Sequence, residues 1–202
     1  MAEQQPERAQ PSTVHVCTLG HVDHGKTTVT VALARVLAKE YGGRHSHFQA
    51  VDRAPDEQAR EGAVDASHVE YDTAARHYVH IDCPKPEDLK GLAEGGARLD
   101  AAILVVAAPD GVTAQGRDHL RLAHEIGIRR VVAFLNKSDL ADEGMLDVVE
   151  AEIRTALTEA GYPGDQAPVL VGSALRALEE DEDRAAVLQL AAALDSYVPD
   201  GA

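Results

Sequence analysis

Eight consecutive residues near the amino terminus constrain the fold more than any other part of the chain. Residues 20–27, GHVDHGKT, follow an apolar run at 14–19 and lead into a helical pattern that begins at Lys26. Their spacing, G-x-x-x-x-G-K-[ST], lets successive backbone N–H groups turn inward around phosphate oxygens, while Lys26 adds positive charge and the Thr27 hydroxyl suits Mg²⁺. A strand before this loop and an amphipathic helix after it predict a phosphate-binding site.

Apolar runs and helical periodicities alternate along the rest of the chain. Strands are predicted at 14–19, 101–107, 131–135 and 169–171, with a hairpin at 68–73 and 77–82. Helices are predicted at 26–40, 113–125, 144–160 and 183–197, and a long loop at 44–67. This alternation favours a three-layer α/β fold of the P-loop NTPase type, with a mainly parallel sheet and one antiparallel edge strand from the hairpin.

Length, charge and cysteine content narrow the domain organisation and the partners. The 202 residues suit one domain, expected at 13–199 between short tails at 1–12 and 200–202. The net charge is -15, so the chain as a whole offers no basic surface to nucleic acid and we expect no DNA partner. Only two cysteines and no apolar run of membrane-spanning length favour a reducing, cytoplasmic setting without a membrane partner.

A second motif predicts which base is bound. Asn136, Lys137 and Asp139 directly follow the apolar run at 131–135. A carboxylate at Asp139 can accept hydrogen bonds from the N1–H and the 2-amino group of guanine, whereas adenine offers no matching pair of donors. Ser173, Ala174 and Leu175, after the run at 169–171, would complete the base pocket through backbone N–H groups; alone, they are equally typical of an ordinary strand-to-helix turn.

Several longer segments together resemble one family. GHVDHGKTT, SHVEYDT, RHYVHIDCP, AILVVAAPDG, FLNKSDL, GSALRALE and LDSYVP are similar to segments of the G domain of elongation factor Tu, over 14–199. The resemblance implies GTP or GDP as ligand, with Mg²⁺ bound by Thr27 and, through water, by Asp52 and Asp82. It also implies that Asn136, Lys137, Asp139, Ser173, Ala174 and Leu175 hold guanine. Phosphates would be held by Asp23, His24, Gly25, Lys26, Thr27 and Thr28.

The departures from this family fall where its members switch. The family has R-G-I-T-I in the long loop, whereas residues 60–64 are REGAV and place Ala63 where a threonine would bind Mg²⁺. The family continues its strand with D-C-P-G-H, whereas residues 82–86 are DCPKP, so both the γ-phosphate-sensing glycine and the water-positioning histidine are missing. Losing the group that positions water typically costs about 100- to 10,000-fold in rate. We therefore expect intact nucleotide binding with impaired hydrolysis and switching.

Three functional classes stay open on the sequence. The chain is a slow translational GTPase, a non-hydrolysing nucleotide-binding regulator or decoy that acts through a protein partner, or the G-domain fragment of a longer chain, because the two β-barrel domains of the family do not follow. Ribosome, aminoacyl-tRNA and exchange factor are partners implied by resemblance alone. Lys85 is the one catalytic candidate, as a cation near the γ-phosphate; a solvated loop lysine is the favoured interpretation of the same residue.

Overall fold

The strands form a single six-stranded sheet in the computed structural model, which describes residues 12–42, 67–83, 85–179 and 183–199. The sheet order is β2-β3-β1-β4-β5-β6, and every neighbouring pair is parallel except β2 with β3. The hairpin therefore supplies an antiparallel edge strand, and the predicted fold class is confirmed. The strands are β1 (Thr13–Leu19), β2 (Ser67–Asp72), β3 (His77–Asp82), β4 (Ala101–Ala107), β5 (Val131–Asn136) and β6 (Val169–Val171).

Two apolar layers cover the sheet, because the buried strands alternate their side chains between its faces. In β4, Ile103 and Val105 pack into the layer beneath the first and last helices, whereas Leu104 and Val106 pack into the opposite layer. All seven residues of β4 are buried, as a continuous apolar run predicts. The helices are α1 (Lys26–Tyr41), α2 (Pro86–Glu94), α3 (Ala114–Glu125), α4 (Glu143–Glu159), α5 (Ala174–Glu179) and α6 (Arg184–Tyr197).

Helices α2 and α5 were not predicted from the sequence, whereas the four predicted helices are present with boundaries shifted by at most one residue. The start of α2 carries recognisable signals. Pro86 is its first residue, Glu87 and Asp88 place acid in its first turn, and Leu89 is fully buried. The backbone N–H of Lys85 donates to the Asp88 carboxylate over 3.0 Å. The DCPKP segment therefore leads directly into a capped helix.

Some sequence predictions fall outside the described residues. Asp52, Ala63 and nearly all of the long loop predicted at 44–67 belong to this part of the chain, as do most of the two expected tails. Among the helices that are described, each is too short or too polar to cross a bilayer.

Candidate nucleotide-binding site

The loop between β1 and α1 depends on its two glycines. Gly20 has a φ of 135°, and a Cβ atom there would lie 2.3 Å from the backbone oxygen of Val105. Gly25 has a φ of 88°, and a Cβ atom there would lie 2.4 Å from the side-chain nitrogen of Asn136. Asp23 between them is also left-handed, at 65°. Glycine is therefore required at both positions, because a side chain would clash with these neighbouring atoms and because both φ angles are positive.

Lys26 lies inside this turn with 6% of its surface exposed. Its Nζ donates to the backbone oxygens of His21, over 2.8 Å, and Gly20, over 3.2 Å. The ammonium therefore adds its charge to the amino terminus of α1, whose first turn contains no acidic residue. A helix amino terminus and a cation at one point favour an anion such as phosphate.

A carboxylate joins the loop to the end of β3. The two oxygens of Asp82 accept hydrogen bonds of 2.5 Å from the hydroxyls of Thr18 and Thr27. Hydroxyl and carboxylate oxygens are the hard donors that Mg²⁺ prefers, and Mg²⁺ usually takes only one or two protein carboxylates together with phosphate oxygens. The described residues contain no cluster of three His, Cys, Asp or Glu side chains suited to a metal. The donor set of Thr27 and Asp82 therefore fits a metal ion that is shared with a nucleotide.

The predicted base motif is tied to the same loop. The buried Asn136 side chain donates to the His24 backbone oxygen over 2.9 Å and accepts from the Ala174 backbone N–H over 3.0 Å. Lys137 has a φ of 58° and its Nζ donates to the Asp23 backbone oxygen over 2.6 Å. The structure thus brings the loop, the base motif and the start of α5 together at the carboxyl edge of the sheet.

The remaining predicted residues have different surroundings. Asp139 is exposed in a single 3₁₀ turn, Ser138–Leu140, that directly follows the motif's first two residues. Ser173 is buried, and Leu175 is 53% exposed. Thr27 is exposed at the start of α1 and Thr28 is half-buried. Lys85 is exposed immediately before α2.

His24 is a buried part of the loop. It is only 2% exposed; its Nδ1 lies 3.4 Å from the Val105 backbone oxygen, and its Nε2 lies 3.6 Å from a carboxylate oxygen of Asp110. Burial lowers the pKa of His24, although the Val105 carbonyl and Asp110 act in the opposite direction. A neutral imidazole that packs beneath the loop follows from this environment.

His119 is a site residue that was not predicted from the sequence. It is fully buried on α3, and its Nδ1 lies 3.1 Å from the backbone nitrogen and 3.0 Å from the backbone oxygen of Gly20. Four residues earlier on the same helix, Gln115 accepts from the Val22 backbone N–H over 3.4 Å. Helix α3 therefore supports the loop from below. The available signal was a histidine on the apolar face of α3, beside Leu120 and Ala123.

Parallel α/β sheets hold their ligands beyond the carboxyl ends of the strands, and all of these groups lie there. Such a loop, between the first strand and the first helix of this sheet, defines a P-loop nucleotide-binding protein. A family model described as the elongation factor Tu GTP binding domain matches residues 11–200. The chain therefore belongs to this family, whose members bind guanine nucleotide, usually with Mg²⁺.

Proposed function

We propose that the protein binds GTP and GDP together with Mg²⁺ and hydrolyses GTP slowly or not at all. The observation that carries this proposal is the physical connection between the phosphate loop and the guanine motif. Asn136 and Lys137 each donate to a backbone oxygen of the loop, so the two halves of a nucleotide site are held in one arrangement. A positioned site binds its ligand with a smaller loss of conformational entropy than a mobile one.

Phosphate binding would depend on the loop N–H groups and on Lys26. The lysine ammonium would exchange its bonds to the His21 and Gly20 carbonyls for bonds to phosphate oxygens. Thr27 would bind Mg²⁺ directly and Asp82 would bind it through water, and the charge of the metal would offset that of the phosphates. Because the Thr27 hydroxyl donates to Asp82, it would turn its oxygen lone pair toward the metal while Asp82 stays anchored by Thr18. Asp52, outside the described residues, is proposed as a further ligand through water.

Guanine recognition would depend on Asp139 and on the backbone at the start of α5. The Asp139 carboxylate is exposed and can hydrogen-bond to water when no base is bound. When a guanine base covers it, the N1–H and the 2-amino group would replace those hydrogen bonds. Ser173, Ala174 and Leu175 would present backbone N–H groups, but the N–H of Ala174 is already bonded to Asn136. Its neighbours are therefore the better donors for a base.

Slow hydrolysis is supported by the backbone at 85–86. The family places a glycine N–H against the γ-phosphate and a histidine beside the attacking water. Here the N–H of Lys85 is bonded to Asp88, and Pro86 has no N–H to offer. Neither residue supplies a general base. The same observation favours the second candidate function, a guanine-nucleotide-binding regulatory module that does not hydrolyse GTP and acts through a protein partner.

Nucleotide titration and single-turnover hydrolysis test the proposal. We expect isothermal titration to detect GDP and a non-hydrolysable GTP analogue with similar affinities, and radiolabelled GTP to be cleaved far more slowly than by a family member with intact switch residues. Failure to bind either nucleotide in the presence of Mg²⁺ would refute the binding function. Turnover as fast as that of the intact family member would refute impaired hydrolysis, whereas binding with no turnover selects the regulatory module.

We further propose a role in translation in the cytoplasm, either as this domain alone or as the G domain of a longer chain. Family membership supports this role, and both cysteines are free thiols, which suits a reducing compartment. Ribosome, aminoacyl-tRNA and an exchange factor are the partners to test. If the proposal holds, co-sedimentation should recover more of the protein with the ribosomes when the GTP analogue is present than when it is absent. Recovery of the same amount of protein in the pellet when ribosomes are omitted would contradict the proposal.

A further inference from the structure

The Thr18 hydroxyl joins two neighbouring groups at the end of β3. Thr18 is fully buried in β1. Its Oγ1 donates to Oδ1 of Asp82 over 2.5 Å and accepts from the backbone N–H of Cys83 over 3.2 Å. A hydroxyl carries one hydrogen, so the bond from Cys83 leaves that hydrogen for Asp82. The orientation of the hydroxyl is therefore fixed by both partners.

Strand register places Thr18 beside Asp82. The parallel pairing of β1 with β3 ends at Cys17 and Ile81, one residue earlier in each strand. Residues at matching positions of neighbouring strands point to the same face of the sheet. On its other side, Thr18 is paired with Ile103 of β4. The hydroxyl therefore acts from a strand that is hydrogen-bonded on both sides.

Asp82 has a second partner on the side of the phosphate loop. Its Oδ2 accepts from the Thr27 hydroxyl over 2.5 Å. The proposed function turns that hydroxyl toward Mg²⁺, so this bond to Asp82 would be lost. Thr18 and Thr27 are the hydrogen-bond partners of the Asp82 carboxylate in the described part of the chain. Thr18 is therefore the partner that would still hold the carboxylate in the nucleotide-bound protein.

We propose that Thr18 is a positioning residue of the metal site. Its hydroxyl holds the Asp82 carboxylate and the Cys83 backbone in place, and this hold determines how strongly Mg²⁺ increases the affinity for guanine nucleotide. The dependence on Mg²⁺ rests on the proposed function, whereas the hold on Asp82 does not.

Linkage between two ligands gives this role a measurable quantity. If Mg²⁺ increases the affinity for GDP by some factor, GDP increases the affinity for Mg²⁺ by the same factor. The ratio of the GDP dissociation constants in EDTA and in Mg²⁺ gives this factor, which we call the Mg²⁺ factor. Loss of a group that orients the residues around a metal typically lowers metal affinity by about 10- to 100-fold. Loss of the Thr18 hydroxyl should therefore lower the Mg²⁺ factor and leave the GDP affinity in EDTA close to that of the wild type.

Isothermal titration with GDP measures the Mg²⁺ factor. Thr18→Val keeps the shape of the side chain without the hydroxyl, and its Mg²⁺ factor should be lower than that of the wild type by about tenfold or more. Thr18→Ser retains a hydroxyl and should keep the wild-type factor. Thr30→Val is the matched control, because it removes a hydroxyl that is also fully buried but is bonded to the Lys26 backbone oxygen. An unchanged Mg²⁺ factor in folded Thr18→Val would refute the positioning role.

A double-mutant cycle tests the hold on Asp82 without any nucleotide. Urea denaturation gives the free energy of unfolding of the wild type, Thr18→Val, Asp82→Ala and the double variant. Residues in contact have non-additive effects, so Thr18→Val should destabilise the Asp82→Ala protein less than it destabilises the wild type. Additive losses would refute the hold. Thr18→Ala removes the same hydroxyl and takes the place of Thr18→Val if circular dichroism shows the latter to be unfolded.

The two measurements separate the role of Thr18 from the proposed function. In the Asp82→Ala protein, Thr18→Val should not lower the Mg²⁺ factor further, because Thr18 acts through Asp82. A further decrease of the size seen in the wild type would refute this route. A wild type that binds no GDP, with or without Mg²⁺, would refute the proposed function and the Mg²⁺ dependence with it, while the cycle would still decide whether Thr18 holds Asp82.

Discussion

The Asn136 side chain bridges two loops, since its nitrogen donates to the His24 backbone oxygen over 2.9 Å and its oxygen accepts from the Ala174 N–H over 3.0 Å. Both contacts are buried and reach distant parts of the chain. One amide therefore fixes the end of β5 relative to the phosphate loop and to α5. This arrangement makes the fold and the site depend on the same side chain.

Asn136→Ala should weaken both the fold and the site. Each buried backbone group left without a partner costs about 1–3 kcal/mol, and about 1 kcal/mol lowers Tm by about 2–4 °C in a chain of this size. Thermal denaturation without nucleotide should therefore show a decrease of several degrees, and GDP affinity should fall as well. Gln166→Ala, which removes an exposed amide, is the matched control. An unchanged Tm would contradict the bridging role.

Asp139→Asn should relax the preference for guanine. Hydrogen bonds to a charged group contribute about 1.5–3 kcal/mol, so GDP affinity should fall by about 10- to 150-fold. Xanthine carries an oxygen where guanine has its 2-amino group, and the new amide can donate to it, so XDP should bind the variant better than the wild type. Competition titrations measure both effects. Asp147→Asn, also exposed, serves as the control. Unchanged discrimination between bases would refute the assigned pocket.

His119 should make the folded protein sensitive to acid. Burial lowers its pKa, with a further lowering by Lys26, while the backbone of Lys85 and of Gly20, together with Glu87, acts in the opposite direction. The unfolded chain therefore binds this proton at a higher pH than the folded protein does. The contribution of His119 to the free energy of unfolding is therefore fully present above about pH 6.5, the pKa of this side chain in the unfolded chain. It is lost as the pH falls toward the lower pKa of the folded protein.

Chemical denaturation at pH values from about 7.5 to about 5 would measure this loss. His24 and His80 are buried with lowered pKa values too, so the wild type combines several contributions. The difference between the wild type and His119→Gln isolates one of them, and the variant should show the shallower pH dependence. His68→Gln, which removes an exposed histidine, should keep the wild-type slope. Equal slopes for wild type and His119→Gln would contradict the prediction.

Restoring the family's switch residues should raise turnover. The triple variant Ala63→Thr, Lys85→Gly and Pro86→His reintroduces the γ-phosphate and water contacts, and an increase of about 100-fold or more is expected. Single-turnover hydrolysis is the measurement. Lys85→Ala alone should leave the rate unchanged if Lys85 is a solvated lysine. A large loss of rate in Lys85→Ala would instead identify it as a cation that stabilises the transition state.

The sheet and the nucleotide motifs could be predicted from the sequence, because apolar runs and turn glycines determine strands and tight turns locally. Helix α2 begins at Pro86, which follows Pro84 and Lys85. Because two prolines so close together are typical of a loop, the capping interaction between Lys85 and Asp88 was not predicted from the sequence. The role of His119 could not be predicted from its neighbours in the sequence, since its contact with Gly20 joins residues 99 positions apart. Only tertiary packing shows that a histidine on an apolar helix face supports the phosphate loop.

Asp82 is the last residue of β3 and Pro86 is the first residue of α2, so only three residues connect the Asp82 carboxylate, which is proposed to support Mg²⁺, to a helix. A connection of three residues spans at most about 14 Å even when fully extended. Asp82 and the first residue of α2 therefore stay within about that distance of each other whenever both elements are folded. A partner that carried the start of α2 beyond that distance from the end of β3 would therefore have to displace Asp82 as well. The length of this connection thus limits how far α2 can move without also moving the carboxylate that is proposed to support Mg²⁺.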